Sequence, residues 1–463
     1  MLNYFNFKKI TESTYLLTND FGNYCFLETP EFKAITTDPS ALCEEKHREL
    51  IDKGFLIDGS SQRFLESQTY RMRDSKNYVF TATSLHIFVV TNQCNLNCVY
   101  CQANNGLTLT RAMTEDTAKR AVDIALSSPQ KALSFEFQGG EPLMNFPIIR
   151  YIVEYAEAGK GKKEIQYSVV TNLTAITDEM IDFFREHHVS ISTSLDGDRW
   201  LHNKNRSYSA GNGSFDRVLS GIKRVKAAGL TVGAIQTTTR YSFDRAEKIV
   251  DTYCDLGFSN VFLRPLSPLG KAKKAWEQIG YTPQEFVDFY KRTVAYILEK
   301  NRKGIRFQEM YASMFLTKIL TGYALNYMEL RSPCGAGCGQ LAYYTDGNVY
   351  SCDEGRMLAE MGIDAFKVGN VFTDSYKDLI QSSACNVACK ASVLESIPAC
   401  CDCVYQPYCG ICPAVNLALY DDVLPKTPEH YRCAINKGIF DYYFGLLYEQ
   451  DPCIMDIIKG WVL

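Results

Sequence analysis

Three cysteines in one short segment constrain this 463-residue chain more than any other feature. They follow the spacing Cys94-x3-Cys98-x2-Cys101, directly after an apolar, strand-like run at 85–90. Three thiolates on one short loop can hold three irons of a cubane iron–sulfur cluster, which leaves the fourth iron open to a small molecule. A zinc loop with a fourth ligand elsewhere is the alternative.

A second motif, Gln138-Gly139-Gly140-Glu141-Pro142, follows another strand-like run at 133–137. Glycines allow the backbone to approach a ligand closely, and a loop at a strand end presents carbonyl groups to an ammonium group. Taken alone the motif could be an ordinary turn, so its functional interpretation depends on the cysteine loop that precedes it.

Together the two motifs resemble the signature of the radical S-adenosylmethionine (SAM) enzymes, in which an aromatic residue, here Tyr100, precedes the last cysteine. The resemblance implies that Cys94, Cys98 and Cys101 hold a [4Fe–4S] cluster. It also implies that Tyr100 lies at the SAM site and that the 138–142 stretch binds the aminoacyl end of SAM.

Composition is typical of an intracellular enzyme of two or three domains. Hydrophobic residues make up 46% of the chain and the net charge is −4, which gives no footprint for nucleic acid or an anionic membrane. The sequence shows no transmembrane run and no signal peptide. Eighteen cysteines without a secretion signal favour metal sites in a reducing compartment, so a cytoplasmic location is expected.

The middle of the chain alternates between strand-like and helix-like segments. The predicted strands are 85–91, 133–138, 166–171, 189–195, 231–237 and 260–265; one helix begins at Thr114, as N-cap, and others lie near 147–158, 177–187, 214–228 and 242–256. Six βα units in series predict an α/β fold with a parallel sheet and helices outside. The resemblance implies a partial (β/α)6 barrel with the cluster loop after the first strand.

Polar residues at further strand ends are candidates for holding SAM, because ligand sites of such sheets lie there. Asn172 closes the third strand and Ser194 closes the fourth. Both could bond a ribose or a carboxylate, or they could cap the strands in Asx-type turns. Arg206 ends a stretch, 202–206, that is similar to one in related peptide maturases; it could clamp the SAM carboxylate or belong to a solvated loop.

The densest cysteine pattern lies in the last third of the chain, and it resembles the SPASM domain of radical SAM enzymes, which holds two auxiliary [4Fe–4S] clusters. The resemblance implies one cluster on Cys334, Cys338, Cys352 and Cys412, and a second on Cys400, Cys403, Cys409 and Cys433. The gap before Cys412 is x2, where the family usually has x3, and Cys401 beside Cys400 allows another register. A zinc ribbon is the alternative.

Asp353 directly follows Cys352. In SPASM enzymes that modify peptides an acidic residue at this place is a proposed general base, so the resemblance implies that role here; a surface aspartate is the alternative. Six cysteines have no place in the scheme and are expected as buried small side chains: Cys25, Cys43, Cys254, Cys385, Cys389 and Cys453. For the pair Cys385-x3-Cys389 the sequence offers no partner.

The first eighty residues differ in character from the rest. Strand-like runs at 14–17 and 24–27 flank a hairpin signal at 19–22, and helix-like segments follow near 30–36 and 43–54. This resembles the small α+β peptide-recognition module of maturases of ribosomally made peptides, in which a leader peptide adds a strand to the sheet; a purely structural domain is the alternative. The expected domains are the module (1–70), a linker (71–84), the radical SAM barrel (85–305) and the SPASM domain (306–463). The polar segment 61–80 is also typical of a linker.

The resemblance covers almost the whole chain and is nearest to the radical SAM/SPASM peptide maturases, namely the thioether-forming ranthipeptide maturases of the PapB type and the His-Xaa-Ser-system maturases. It implies hydrogen abstraction by a 5′-deoxyadenosyl radical and a bond from cysteine sulfur to carbon in a precursor peptide. Expected cofactors are SAM and three [4Fe–4S] clusters. Expected partners are a precursor peptide with a leader sequence and an electron donor such as flavodoxin or ferredoxin.

Three other functions stay open from the sequence. The first is an anaerobic sulfatase-maturing (formylglycine-forming) enzyme, and the second is a maturase that forms C–C or C–O cross-links. The third is a non-catalytic iron–sulfur regulator, although an open fourth coordination site at the Cys94–Cys101 loop argues against it.

Overall fold

The computed structural model describes residues 1–57, 59, 61–103, 111–323, 329–425 and 430–463. The strands in this part of the chain are β1 (Asn6–Lys9), β2 (Thr14–Thr18), β3 (Tyr24–Glu28), β4 (Leu85–Thr91), β5 (Ala132–Gly139), β6 (Glu164–Thr171), β7 (Ser190–Ser194), β8 (Val232–Thr237), β9 (Asn260–Arg264), β10 (Gln308–Glu309), β11 (Gln340–Tyr343), β12 (Asn348–Tyr350) and β13 (Lys367–Asn370). They form a three-stranded sheet, β1-β2-β3, and a ten-stranded sheet in the order β10-β9-β8-β7-β6-β5-β4-β11-β12-β13.

Helices precede, connect and follow these strands. The described helices are α1 (Thr29–Thr37), α2 (Glu44–Asp52), α3 (Ser61–Ser75), α4 (Glu115–Leu126), α5 (Phe146–Gly159), α6 (Asp178–Glu186), α7 (Arg199–Asn205), α8 (Phe215–Ala227), α9 (Ala246–Asp255), α10 (Gly270–Lys274), α11 (Trp276–Ile279), α12 (Pro283–Arg302), α13 (Met310–Thr321), α14 (Asp353–Ala359), α15 (Tyr376–Ile380), α16 (Ser383–Lys390), α17 (Pro413–Tyr420), α18 (Tyr431–Glu449) and α19 (Pro452–Lys459).

The centre of the large sheet is built from the six predicted strands. β4 to β9 are parallel neighbours in chain order, connected by α4 to α9. The first of these helices begins as predicted, because the Thr114 hydroxyl accepts a hydrogen bond from the backbone N–H of Thr117 at 3.2 Å. Parallel pairing requires a crossover after each strand, which is the alternation seen in the sequence. The predicted α/β fold with a central parallel sheet is confirmed.

The C-terminal region extends the same sheet at both edges. β10 pairs in parallel with β9, and β11 pairs in parallel with β4, with Gln340 opposite Leu85 and Tyr343 opposite Phe88. β12 and β13 continue from β11 in antiparallel order. Strands of the cysteine-rich region therefore belong to the same sheet as the six parallel strands.

The N-terminal module forms its own small core. The predicted hairpin is confirmed, since β2 and β3 pair in antiparallel register across the turn. Apolar residues of the sheet and of the first two helices pack together: Leu17, Cys25, Leu27, Ile35, Leu50, Phe55 and Leu56. Gly54 follows helix α2 with φ +77°, in the left-handed region that glycine adopts after a helix C-terminus.

Most of the polar segment 61–80, which was expected to be a linker, is helix α3. Leu65, Gln68 and Met72 lie on one side of this helix and line a groove with Phe21 of the β2–β3 turn. The spacing of these residues is helical, but the polar residues around them hide the pattern in the sequence.

The module is docked on the cysteine-rich region. The Asn6 side-chain amide donates to the carbonyls of Cys401 and Cys403 at 3.0 and 3.2 Å, and the Thr18 hydroxyl donates to the carbonyl of Val404 at 2.6 Å. Aromatic side chains of β3 pack against helix α18, with the ring centroids of Tyr24 and Phe444 5.3 Å apart.

Two features concern the chain as a whole. In the described residues, no helix has the length and apolar character needed to span a membrane. The expectation of buried extra cysteines holds for Cys25 and Cys385 but is wrong for Cys43 and Cys453, which are exposed. Both lie at the start of short surface helices, where one flank faces solvent.

Candidate active site

The loops at the ends of the parallel strands enclose a cavity of about 320 Å³. Its lining includes the cysteines predicted for the SAM-binding cluster, the predicted base and, apart from Pro142, the residues predicted for SAM: Cys94, Cys98, Tyr100, Cys101, Gln138, Gly139, Gly140, Glu141, Asn172, Ser194, Arg206 and Asp353. The carboxyl ends of parallel strands meet at one edge of a sheet, which explains most of this set. Asp353 comes from the C-terminal region.

The cysteine loop is held by backbone hydrogen bonds to the C-terminal end of helix α7 and to the residues that follow it. The N–H of Asn97 donates to the carbonyl of Ser207 at 2.7 Å, and the N–H of Val99 donates to the carbonyl of Asn205 at 2.9 Å. These bonds fix the course of the chain between the three cysteines.

The three thiols of this loop are half-buried. Burial raises the pKa of Cys94 to about 12 and that of Cys98 to about 11, and the Arg206 guanidinium opposes the shift at Cys98. A bound metal deprotonates a coordinating thiol outright, so these thiols are suited to iron rather than to free thiolate chemistry. With Cys101 they supply three soft donors on one wall of the cavity.

Gly139 and Gly140 bring the second motif against the cysteine loop. A Cβ on Gly139 would lie 2.1 Å from the Thr91 carbonyl oxygen, and one on Gly140 would lie 2.2 Å from that of Gln93. The N–H of Gly140 donates to Thr91 at 2.8 Å and the N–H of Glu141 donates to Gln93 at 2.7 Å. The close approach that requires glycine is therefore an approach to neighbouring backbone.

Glu141 connects the ends of strands β5 and β6. Its buried carboxylate accepts hydrogen bonds from the Thr171 hydroxyl at 2.6 Å, from the Asn172 N–H at 2.7 Å and from the Leu143 N–H at 3.1 Å. Burial raises the pKa of Glu141 to about 7, although these bonds favour the charged form. Its oxygens thus have partners within the protein, a role that the motif does not reveal.

Asn172 forms the Asx turn that the sequence left open and also contacts the cysteine loop. Its side-chain oxygen accepts from the N–H of Thr174 at 2.9 Å, and its amide donates to the side-chain oxygen of Asn95 at 2.9 Å. The residue therefore sets the position of the third strand end relative to the cysteines.

Two other predicted residues lie at the ends of strands that flank β6 on either side. Gln138, at the end of β5, donates through Nε2 to the Glu136 carboxylate at 2.5 Å. Ser194 is the last residue of β7 and is half-buried on the cavity wall. Each presents a polar side chain on the lining of the cavity.

Tyr100, Asp196 and Arg206 form a buried group beside the cysteines. The Tyr100 hydroxyl donates to Asp196 Oδ2 at 2.6 Å, and Arg206 Nε lies 3.2 Å from Asp196 Oδ1 without hydrogen-bond alignment. One terminal nitrogen of Arg206 lies 4.0 Å from the sulfur of Cys98. The solvated-loop alternative for Arg206 is therefore wrong, since the residue is only 8% exposed.

Asp353 is the first residue of helix α14, and it faces the cavity as an ion pair. The buried Arg356, one turn further along, donates to Asp353 through Nε at 3.1 Å and through Nη2. The Asp353 side chain is 14% exposed and that of Arg356 is 2% exposed. The surface alternative for Asp353 is wrong because the helix turns this face inward.

Sequence reasoning missed several charged residues on the cavity wall. Arg264 forms an ion pair with Glu329 at 2.7 Å, and Arg432 donates to the Ser267 hydroxyl at 3.0 Å; Glu354 lines the cavity beside Asp353. The strand-end argument could have found Arg264, because it is the last residue of β9. No local signal marks the others.

Four C-terminal cysteines line a second, narrower cavity. They are Cys400, Cys403, Cys409 and Cys433, with Cys412 at the same lining. The Asn436 amide donates to the sulfur of Cys409 at 3.6 Å. Four thiols around one enclosed space fit the donor set of a [4Fe–4S] cluster.

Of the four cysteines predicted for the first auxiliary cluster, three lie in one group and Cys338 lies outside it. Cys334, Cys352 and Cys412 belong to one buried apolar group, in which the Cys352 sulfur accepts from the Gly355 N–H at 3.2 Å. Cys338 contacts the carbonyl of Cys334 at 3.6 Å. Within the described part of the chain, no His, Cys, Asp or Glu side chains are grouped tightly enough for a single metal ion.

Comparison with known proteins identifies one domain of this chain and several similar proteins. Residues 88–251 match the model of the radical SAM superfamily. A cysteine-type anaerobic sulfatase-maturating enzyme of Clostridium perfringens is 25% identical over 377 residues, which cover 79% of this chain and 97% of that protein. An uncharacterized protein of Methanocaldococcus jannaschii is 28% identical over 247 residues, covering 51% of this chain and 85% of that protein.

Two solved structures share the fold. Native anSMEcpe with bound AdoMet (SAM) matches with a TM-score of 0.69 and 22% identity, over 79% of this chain and 98% of that one. Streptococcus suis SuiB bound to its precursor peptide SuiA matches with a TM-score of 0.55 and 16% identity, over 92% and 97%. Residues 88–251 are therefore identified as a radical SAM domain, and the chain as a whole shares the fold of these two solved enzymes.

Proposed function

We propose that this chain is a maturase that joins cysteine sulfur to carbon in a ribosomally made precursor peptide. The observation that carries the proposal is the common cavity, where the cysteine loop, the Gly139–Gly140 stretch and Asp353 face one space. A peptide segment in that space would meet the SAM site on one side and a carboxylate on the other. The similarity to a sulfatase-maturating enzyme and to precursor-bound SuiB supports a peptide substrate.

The residues present fit the cofactors that the family implies. Cys94, Cys98 and Cys101 would hold the SAM-binding cluster, and the polar cavity wall, with Arg206 and Asn172, would hold SAM. The two C-terminal cysteine sets would hold auxiliary clusters, as the sequence predicts. When bound, these groups supply an acceptor for a hydrogen atom from an unactivated carbon and an acceptor for the remaining electron.

The chain's own residues would handle the proton. Forming one thioether removes one hydrogen from carbon and one from the thiol, and the thiol hydrogen leaves as a proton. Asp353 would accept it, because its carboxylate lines the cavity and is oriented by Arg356.

The N-terminal module would bind the leader of the precursor. Helix α3 and the β2–β3 turn border an apolar groove of about 520 Å³, lined by Phe21, Leu65, Met72 and Phe80. Leu65 is 63% exposed and Phe80 is 74% exposed, and exposed apolar patches of this kind mark protein interaction sites. Strand addition at the edge of the small sheet would supply the backbone hydrogen bonds.

A second candidate function is sulfatase maturation. It is favoured by the alignment that covers 97% of a sulfatase-maturating enzyme. The match to precursor-bound SuiB, which spans 92% of this chain, favours the leader-guided alternative. In either case an external donor such as flavodoxin or ferredoxin would supply the reducing electron.

The test is the product of the reconstituted enzyme with its precursor peptide. We expect each modification to lower the peptide mass by two hydrogen atoms and to leave one fewer cysteine that a thiol reagent can alkylate. Loss of two hydrogens with every cysteine still alkylated would show a C–C or C–O bond instead. Conversion of a cysteine or serine in a sulfatase peptide to an aldehyde would establish the second candidate.

A further inference from the structure

Helix α16 carries the one cysteine pair that the sequence left without a partner. Cys385 and Cys389 are four residues apart, so both lie on the same face of the helix. The structure supplies the partner, because the sulfur of Cys389 lies 4.0 Å from that of Cys338. Two thiols, those of Cys338 and Cys389, therefore lie in contact at a predicted cluster site.

The helix is fixed against the loop that carries Cys334 and Cys338. A Cβ on Gly337 would lie 2.1 Å from the sulfur of Cys385, so this helix side chain packs directly against the loop backbone. The N–H of Cys334 donates to the hydroxyl of Ser392, two residues after the helix, at 2.9 Å. The approach of Cys389 to Cys338 is therefore built into the packing.

The number of thiols exceeds what one cluster needs. Cys334, Cys352 and Cys412 already share one buried group, and Ala388, the neighbour of Cys389, belongs to it as well. A cubane cluster takes one protein ligand for each of its four irons. One position is thus open to either of two thiols that lie 4.0 Å apart, Cys338 and Cys389.

We propose that the fourth ligand of the first auxiliary cluster is interchangeable, with Cys389 able to replace Cys338. The proposal rests on the proposed function in one respect, the presence of that cluster. Cys385 has a different role: it is 3% exposed and donates to the carbonyl of Leu379 at 3.4 Å, so it serves packing. It provides the matched control on the same helix face.

The experiment compares cluster spectra in a background that lacks the SAM-binding cluster. Each variant carries Cys94→Ala, Cys98→Ala and Cys101→Ala, is reconstituted anaerobically and reduced, and is measured by electron paramagnetic resonance with and without ethanethiol. Ethanethiol is the probe because a thiolate binds an iron that lacks a protein ligand and changes its spectrum. Iron content is determined on the same samples.

We expect no ethanethiol response in the background protein, in Cys338→Ala or in Cys389→Ala, because one thiol of the pair remains in each. The double variant Cys338→Ala/Cys389→Ala should respond, whereas Cys338→Ala/Cys385→Ala should not. A response in Cys338→Ala alone would show that Cys389 cannot replace it. A silent double variant would show that neither thiol is a ligand.

The failures of the two proposals can be told apart. A background protein that retains only one cluster's iron, with no signal from the first auxiliary site, would remove that cluster from the proposed function and the ligand exchange with it. A background protein with both auxiliary signals and a responsive Cys338→Ala variant would overturn the ligand exchange alone.

Discussion

At the scale of single residues, Glu141 and the two glycines before it make close contacts within the protein itself. The glycines let two loops touch, and the carboxylate joins two strand ends through two hydrogen bonds, to Thr171 and Asn172. The backbone groups that remain free on these loops are then fixed in position, which lowers the entropic cost of binding a cofactor.

Gly140→Ala tests this contact. The added Cβ would lie 2.2 Å from the backbone carbonyl oxygen of Gln93. Because the clash is with backbone, no side-chain rotation can remove it. We expect unfolding free energy to fall by about 1–3 kcal/mol and SAM cleavage to be largely lost, because the cysteine loop must shift. Denaturant unfolding and 5′-deoxyadenosine formation measure the two effects.

Gly445→Ala is the matched control, since no atom lies within 4 Å of an added Cβ there and the residue is in helix α18. It should change stability by less than about 1 kcal/mol, in the favourable direction. Equal behaviour of the two variants would contradict the loop contact.

The triple replacement of Cys94, Cys98 and Cys101 by alanine tests the predicted cluster ligands. It should abolish 5′-deoxyadenosine formation while iron at the C-terminal sites remains, because the two cysteine sets line separate cavities. Continued SAM cleavage by this variant would refute the assignment. Loss of all iron would show that the sites do not assemble independently.

At the scale of elements, helix α14 joins a predicted cluster ligand to a predicted base. Cys352 caps its N-terminus, Asp353 begins the first turn, and Arg356 reaches back over one turn to the carboxylate. One short helix thereby sets the distance and direction of both groups. The helix is positioned by strand β12, whose last residue, Tyr350, pairs with Ala342 in the sheet two residues before Cys352.

Asp353→Asn should separate SAM cleavage from product formation. The amide keeps the size of the side chain but accepts no proton, so we expect peptide modification to slow by about 10²–10⁴-fold. SAM cleavage should persist. The ratio of 5′-deoxyadenosine to modified peptide measures this uncoupling.

Glu354→Gln is the comparison variant, because Glu354 lines the same cavity without the Arg356 pair. It should modify peptide at a rate closer to that of the native enzyme. If Glu354→Gln uncouples the reaction and Asp353→Asn does not, the base is Glu354.

At the scale of the whole molecule, the N-terminal module and the C-terminal cysteines form a continuous structure. Asn6 and Thr18 bond the carbonyls of the loop after Cys400, and Lys8 forms an ion pair with Asp441 at 2.5 Å. Removing the module would therefore expose this loop and part of helix α18. Single substitutions in the groove beside helix α3 test leader binding without exposing these surfaces.

Leu65→Asp and Phe80→Asp should each weaken binding of the full precursor by at least about tenfold. Each substitution removes an apolar side chain that the leader would bury and places a charge in the contact. Both side chains are mostly exposed, so the fold should be retained. Ile305→Asp, at an exposed residue far along the chain, is the control and should bind normally. Titration calorimetry with precursor and with leaderless core peptide measures the effect. Unchanged precursor affinity in both groove variants would remove the leader site from this groove.

Local pattern determined much of this protein in advance. The strands β4 to β9, the helix beginning after Thr114 and the cysteine loop after the first strand could be predicted, because hydrophobic period, capping and ligand spacing are properties of neighbouring residues. The end-of-strand rule also predicted that Asn172, Ser194 and the 138–141 stretch would lie near the cysteines. Their roles toward SAM and iron remain predictions.

Other features depend on contacts between distant parts of the chain, and only the tertiary structure decided them. Arg206 is buried because Asp196 and Tyr100 surround it, and Glu141 has internal partners because β6 lies beside β5. Cys389 meets Cys338 because helix α16 packs on a loop some fifty residues earlier. Such long-range pairings are set by packing of the whole core, and no local periodicity encodes them.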